Sequence, residues 1–169
     1  MPAVETVAME AEDPRRAAAR LVSAQSWLAL ATVDASGVPA LSYVPFAPAD
    51  AAFGVVVSGL AAHTANLLAR RPASVLLVED DPSPRDAYAR ARFSAAVTPW
   101  PHAPGSPQAE AVWSALEARQ GETVRVLRTL SDFRAVSLAP ADGRLVLGFA
   151  SAHDLEATAI VELLRSAAR

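Results

Sequence analysis

The side chains best suited to chemistry lie in one short segment, Ser58-Gly-Leu-Ala-Ala-His-Thr-Ala-Asn-Leu67. A serine and a glycine end an apolar run, and a predicted helix then opens with His63, Thr64 and Asn66 grouped within one turn. Free backbone N–H groups at a helix start attract anions, and hydroxyl and amide side chains can add further donors. The segment therefore predicts a phosphate site. The alternative is that Ser58 and Thr64 only cap the helix while His63 packs.

Composition restricts the chemistry open to the rest of the chain. All 15 positive charges are arginine, which excludes a Schiff base, a P-loop lysine and a lysine general base. The absence of cysteine excludes disulfides, thiol catalysis and cysteine-containing metal sites. His63, His102 and His153 are far apart, and no two have the i, i+4 spacing of ligands on one helix face, so no protein metal site is predicted. Arginine, hydroxyl, amide and backbone donors must bind any phosphate.

Charge and hydropathy limit the partners. The formal net charge is −3 and no positive run exceeds two arginines, so no nucleic-acid partner is expected. No apolar run approaches the roughly 20 residues that span a bilayer, and the acidic opening stretch is unlike a signal peptide. We expect a cytoplasmic protein with no membrane contact and a small-molecule substrate. The dinucleotide-binding, P-loop, nucleophile-elbow and HExxH motifs are all absent.

The elements that must position these residues are mostly short strands. Asp13-Pro14 predicts a helix start, and Pro45 places the second strand at an edge or bulge. We predict a loop at 99–105, a turn at 139–143, and a capping box at 151–154 that opens a terminal helix. The predicted strands are 27–34, 38–47, 53–58, 73–79, 91–97, 133–138 and 144–149, and the predicted helices are 14–24, 61–70, one from Pro107, a turn or two at 124–130, and 154–169.

Hairpin-linked strands with few helices favour a mostly antiparallel sheet closed into a small barrel, because a parallel sheet needs a crossover between every pair of strands. The fold class is mostly β with flanking helices (α+β). A chain of 169 residues suits one domain spanning residues 1–169, with its core at 13–155 and a C-terminal helix at 154–169.

Several motifs resemble the pyridoxamine 5′-phosphate oxidase-related FMN-binding split-barrel proteins, and most closely their haem-utilization branch. The similar runs are Leu30 to Pro39, Ser42 to Phe46, Ser58 to Leu67, Arg71 to Leu77, Asp132-Phe133 and Gly148 to His153. The SGLA-x-HT-x-NL pattern is the most specific of them. Together they cover about residues 15–155.

The resemblance implies a six- to seven-stranded antiparallel split barrel forming a homodimer, with FMN in two clefts between the subunits. Ser42, Tyr43 and Val44 would border the flavin, partly through backbone groups. Ser58, His63, Thr64, Asn66 and Arg92 would hold the phosphate. Trp100 or the segment 149–153 would approach from the partner subunit.

The same resemblance leaves other functions open. The leading hypothesis is an FMN-dependent oxidoreductase. The alternatives are a haem-binding or haem-degrading protein with His63 or His153 as an axial ligand, and a non-catalytic dimeric scaffold. Oxidation of pyridoxamine 5′-phosphate itself is a weaker reading, because basic residues for a second phosphorylated substrate are not evident. Relatives often carry basic residues where this chain has Ala65, Ala73 and Ser151, and larger haem-utilization relatives carry a further C-terminal domain.

Overall fold

The structure, a computed structural model, describes residues 13–80, 89–148 and 151–169. These residues form five helices and seven strands. The helices are α1 (Pro14–Ala24), α2 (Ala62–Leu68), α3 (Pro107–Gln120), α4 (Glu122–Arg128) and α5 (Ala157–Ala167). The strands are β1 (Trp27–Val33), β2 (Pro39–Ala49), β3 (Ala52–Ser58), β4 (Ala73–Val78), β5 (Arg92–Pro101), β6 (Phe133–Gly148) and β7 (Ser151–Leu155).

The sheet closes into a barrel, as the sequence predicts. Its strand order is β3-β2-β1-β4-β5-β6-β7, every pairing is antiparallel, and β3 also pairs with β6. The β3–β6 pairing joins the two ends of a six-stranded set, and β7 extends β6 outside that closure. The predicted split-barrel fold class is confirmed.

Apolar side chains from alternate strand positions fill the barrel. In β1, Leu28, Leu30 and Thr32 point inward while their neighbours are half-exposed. Phe46, Phe53 and Phe93 form the centre, with adjacent ring centroids 5.7 Å and 6.4 Å apart. Apolar side chains at every second position bury one face of each strand. This alternation fixes the register of strand pairing, because a slip of one residue would turn these side chains outward.

A second apolar cluster joins α3 to the outside of the barrel. The predicted helix from Pro107 is present, and it buries Ala109, Val112, Trp113 and Leu116 as its spacing predicts. Ser106 caps it by accepting a hydrogen bond from Ala109 N–H at 3.2 Å. This helix forms a wall beside β2, β3 and β6, so clefts can form between it and the sheet.

The loop predicted at 99–105 is wrong for its first three residues, because Pro99 to Pro101 continue β5 against β6. His102 N–H donates to Ala135 O at the start of β6. Every second residue of an antiparallel strand bonds to the same neighbour, so Trp100 also bonds to β6. Pro99 and Pro101 fall between them, with their nitrogens on the side away from β6. The pairing of β5 with β4 ends at Val97, so that side is an open edge where proline costs no ladder hydrogen bond.

The turn predicted at 139–143 is also wrong, because β6 runs unbroken through it. The register against β5 shifts between Ala95 and Val97, which is an irregularity of the β-bulge type. A Cβ at Gly143 would stand 2.7 Å from Ser94 O, so glycine permits the close strand crossing. Pro, Asp and Gly here mark a bend in one long strand.

The capping box predicted at 151–154 is wrong as well. Ser151 to Leu155 form β7, and the terminal helix begins later, at Ala157. Ala157 N–H donates to the Asp142 carboxylate at 2.9 Å, so the bend in β6 supplies the cap that the local sequence lacks.

No helix among residues 13–80, 89–148 and 151–169 is long and apolar enough to cross a membrane. Residues 149 and 150 of the last predicted strand lie outside the described residues.

Candidate functional site

The turn between β3 and α2 is held by a compact set of hydrogen bonds around Ser58. The Ser58 hydroxyl donates to an Asp132 carboxylate oxygen at 2.7 Å, and Gly59 N–H donates to Asp132 O at 3.0 Å. The Thr64 hydroxyl donates to Ser58 O at 2.5 Å. These bonds fix the end of β3 and the start of α2 as one unit. Sequence reasoning assigned no role to Asp132, although the Asp132-Phe133 motif was among the runs that carry the family resemblance; in the structure Phe133 pairs with Ser58.

Thr64 and Asn66 face the interior of the fold. Their exposed fractions are only 2% and 6%, and the Asn66 amide donates to the Thr32 hydroxyl at 3.1 Å across to β1. Buried polar groups of this kind hold elements together through their hydrogen bonds. The two side chains therefore fasten α2 to the barrel.

His63 and Ser42 meet at the rim of the barrel. His63 Nδ1 lies 2.8 Å from Ser42 Oγ, and burial lowers the pKa of the half-buried imidazole below its ordinary value. The ring is therefore neutral at physiological pH. Within the described part of the chain Nε2 has no hydrogen-bond partner, so when Nδ1–H donates to Ser42, Nε2 presents a lone pair.

Strand β2 is open along one side beside this pair. Phe46 N–H donates to Ser26 O and Asp34 N–H donates to Val38 O, which fixes the even-numbered residues of β2 as those hydrogen-bonded to β1. The backbone groups of Leu41 and Tyr43 consequently face away from β1. Pairing with β3 begins only at Phe46, so they lie on an open edge. Pro45 also lies on this edge, which confirms its predicted position.

Tyr43 and Val44 point to opposite faces of β2. Val44 is buried in the core, so only its backbone could approach a ligand, and that backbone is bonded to β1. Tyr43 is 65% exposed and stacks on Trp27 with ring centroids 4.8 Å apart. Leu41 and Leu60 are 77% and 94% exposed. Leu60 is thus exposed in the turn before α2, whereas Leu41 and Tyr43 are exposed on the face of β2 opposite to Ser42. Sequence reasoning identified Tyr43 as a flavin contact but not Leu41 or Leu60.

Arg92 lies away from this rim in a single chain. It begins β5, opposite Val78 and Val146, and its guanidinium donates to Arg90 O at 3.1 Å. The strand registers connect Ser42 through β1 and β4 to Ala95. Arg92 is thus separated from Ser42 by three strand spacings across the sheet, roughly 14 Å, and by three residues along the strand, roughly 10 Å.

The other histidines lie elsewhere. His153 is on β7 opposite Leu145, with Nε2 3.1 Å from Ser151 Oγ, and no contact among the described residues joins it to His63. His102 bonds to Ser137 Oγ at 2.8 Å beside α3. Across residues 13–80, 89–148 and 151–169, no three His, Asp or Glu side chains are grouped to hold a metal ion.

Trp100, predicted to approach a partner subunit, is 47% exposed, and the Arg70 guanidinium lies 4.5 Å from its ring centroid. The predicted approach of residues 149–153 falls partly outside the described residues.

Comparisons with known proteins agree with this geometry. The family model described as pyridoxamine 5′-phosphate oxidase matches residues 15–147. A curated relative, heme oxygenase HutZ of Vibrio cholerae, is 31% identical over 137 residues, covering 81% of this chain and 78% of the relative. The solved structure of HutZ from Vibrio cholerae, described as a heme storage protein, matches with a TM-score of 0.70 and 29% identity over 76% of this chain and 90% of that one.

A heme binding protein from Mycobacterium smegmatis matches with a TM-score of 0.79 and 22% identity. That match covers 90% of this chain but 61% of the other, so the chain spans about three fifths of its length. At this identity the similarity supports the fold alone. The family match over most of the chain and the relative at 31% identity show that this chain belongs to the pyridoxamine 5′-phosphate oxidase family.

Proposed function

We propose that this protein binds haem at the rim formed by β2 and α2, in a cleft between two copies of the chain. The observation that carries the proposal is the imidazole of His63. It is neutral, its Nδ1 is oriented by Ser42 at 2.8 Å, and its Nε2 has no partner among the described residues. A histidine that ligates iron characteristically has its second nitrogen oriented by a hydrogen bond in this way.

Exposed apolar side chains on the neighbouring elements suit a large apolar ligand that extends beyond the Ser42–His63 pair. Leu60 is exposed in the turn before α2, and Leu41 and Tyr43 are exposed on the outer face of β2, opposite to Ser42; exposed apolar side chains of this kind mark interaction sites. Bound haem would supply iron and a redox-active macrocycle, while the chain would supply the axial ligand and an apolar cleft. HutZ, 31% identical, is named a heme oxygenase, which supports the choice of ligand class.

An open strand edge supports the proposed homodimer. No strand in the described part of the chain pairs with the second edge of β2 at residues 39–45, and edge strands with apolar side chains are normally covered by another surface. A twofold axis near this edge would cover Leu41 and Tyr43 and could bring Arg92 of the second copy toward His63. A cation there would complement the carboxylates of haem or a phosphate.

FMN is the second candidate, and the open backbone edge is the observation that favours it. Backbone N–H and C=O groups of Leu41 and Tyr43 offer donors and acceptors in alternation, which matches the polar edge of a flavin. Against it, the predicted phosphate donors Thr64 and Asn66 are buried and engaged with Ser58 and Thr32. An FMN-dependent oxidoreductase activity would require phosphate contacts from elsewhere, including the second subunit.

The test is a spectroscopic titration of the purified chain with hemin and, separately, with FMN. We expect a Soret band that saturates at one haem per subunit and is lost in His63→Ala. His102→Ala and His153→Ala are matched controls and should keep it. A Soret band lost only in His153→Ala would reject the His63 assignment. Binding of FMN without haem would favour the flavoprotein, and binding of neither would favour a non-catalytic scaffold.

A further inference from the structure

A second cleft lies on the opposite side of the barrel wall from the core, between α3 and the sheet. Its volume is about 510 Å³, within the range of about 300–1,000 Å³ typical of small-molecule sites. It is bounded by the start of α3, the β2–β3 turn, the end of β5 and the first half of β6. Neither Ser42 nor His63 lines it, so it is separate from the proposed haem site.

The walls of this cleft are flat and apolar. One wall is the indole of Trp100, and small side chains such as Ala49, Ala111 and Ala139 line the others. Because alanine occupies so little space, the room between α3 and the sheet stays open instead of being filled by a larger side chain. An aromatic wall facing methyl groups fits a planar ring.

A hydrogen-bonded pair supplies the polar end of the cleft. His102 Nε2 lies 2.8 Å from Ser137 Oγ, and both residues line the cleft and are half-buried. Burial lowers the pKa of His102, so the imidazole is neutral and the pair offers hydrogen bonds without a charge. His102 Nδ1 has no partner among the described residues.

The charge at the cleft is negative. Asp50 is exposed at the β2–β3 turn, held there with φ of 56°, and it has no ion-pair partner in the described part of the chain. Apart from His102, no described residue that lines the cleft is basic; the Arg70 guanidinium lies 4.5 Å from the Trp100 ring centroid but does not line the cleft. An anionic ligand would therefore face the Asp50 carboxylate, whereas an amine would be attracted by it.

We propose that this cleft binds a small planar aromatic molecule that is neutral or carries an amino group. The ring lies against Trp100 and the alanine methyl groups, its polar edge meets His102 and Ser137, and an amine faces Asp50. The proposal does not depend on haem binding, because the two sites share no residue.

Three compounds with one ring system and different charges test it: indole, tryptamine and indole-3-acetate. Isothermal titration calorimetry should give the tightest binding for tryptamine and the weakest for indole-3-acetate. Asp50→Asn should weaken tryptamine by about two- to fivefold, the size of an exposed ion pair, and leave indole unchanged.

Ala111→Leu fills the cleft from an exposed position on α3, and it should weaken all binding by about tenfold or more through lost ring burial. Ala118→Leu, at an exposed position of the same helix that does not line this cleft, is the matched control. Binding that survives Ala111→Leu, or no binding of any of the three compounds, would overturn the proposal. A change of oligomeric state in Ala111→Leu without ligand would also overturn it, because the cleft would then belong to a subunit interface.

Discussion

Asn66→Leu separates a structural role of α2 from a ligand-binding role. The Asn66 amide donates to the Thr32 hydroxyl at 3.1 Å, and both side chains are almost fully buried. Leucine is similar in size but leaves the Thr32 hydroxyl without that partner. An unsatisfied buried polar group costs about 1–3 kcal/mol, so the free energy of unfolding should fall by about 2 kcal/mol.

The loss is measurable by urea denaturation and as a melting temperature. For a chain of this size each kcal/mol corresponds to roughly 2–4 °C, so Asn66→Leu should lower Tm by about 4–8 °C. Thr32→Val should cost a similar amount. The double variant should cost less than the sum of the two, because replacing both hydrogen-bonding partners by apolar groups is nearly neutral.

Binding must be measured on the same variants. The structure predicts hemin and FMN affinities within about twofold of the wild type once each variant is folded, because the Asn66 side chain is almost fully buried and its amide donates to Thr32. A variant with unchanged stability and additive single effects, but with tenfold weaker FMN binding, would refute this reasoning. It would restore Asn66 as a direct phosphate donor, the role the sequence predicts.

Three further predictions concern stability. Burial lowers the pKa values of His63 and His102. Their contribution to the free energy of unfolding is therefore present above the ordinary imidazole pKa of about 6.5 and is lost as the pH falls below it. Urea denaturation measured against pH should show a smaller loss of stability at low pH in His63→Gln. Arg119 donates to three carbonyls at the end of α1, so Arg119→Met should cost about 1–3 kcal/mol by thermal unfolding, whereas Arg125→Met, which breaks only exposed ion pairs, should cost much less. A Cβ at Gly54 would stand 2.9 Å from a side-chain methyl and 3.1 Å from a backbone carbonyl, so Gly54→Ala should cost about 1–3 kcal/mol, and an unchanged Tm would contradict that packing.

Hairpin-linked strands with few helices, together with the family resemblance, were sufficient to predict the barrel, and helix caps predicted two helix starts. The α1 and α3 starts at Asp13-Pro14 and Ser106-Pro107 are local signals, because the capping side chain and the proline act within one turn. The wrong predictions share a different cause. Whether Pro99 ends a strand depends on which side of β5 is unpaired, which is a property of the sheet and not of the neighbouring residues.

The end of β6 shows the same limit. Residues 139–143 have the composition of a turn, but the barrel uses them to bend a continuous strand where Gly143 crosses close to Ser94. The cap of α5 comes from Asp142, fifteen residues before Ala157, and no local pattern predicts such a contact. Tertiary geometry decided both cases.

The candidate site was predictable in its location but not in the orientation of its members. The resemblance places Ser42, His63, Thr64 and Asn66 in one site, and the structure does bring Ser42 and His63 into contact. Helical spacing separates His63 from Thr64 and Asn66, because His63 faces the rim while the other two side chains face the barrel. Helix α2 is only seven residues long, and neighbouring residues on it lie on different faces, so His63 is near solvent while Thr64 is buried in the core.

The most direct test of the central claim is chemical rescue of His63→Gly. The absorption spectrum of the hemin complex should lose its histidine-ligated form in this variant, and free imidazole should restore it by occupying the space vacated by the ring. A spectrum of His63→Gly identical to the wild type, with or without imidazole, would contradict the assignment of His63 as the iron ligand.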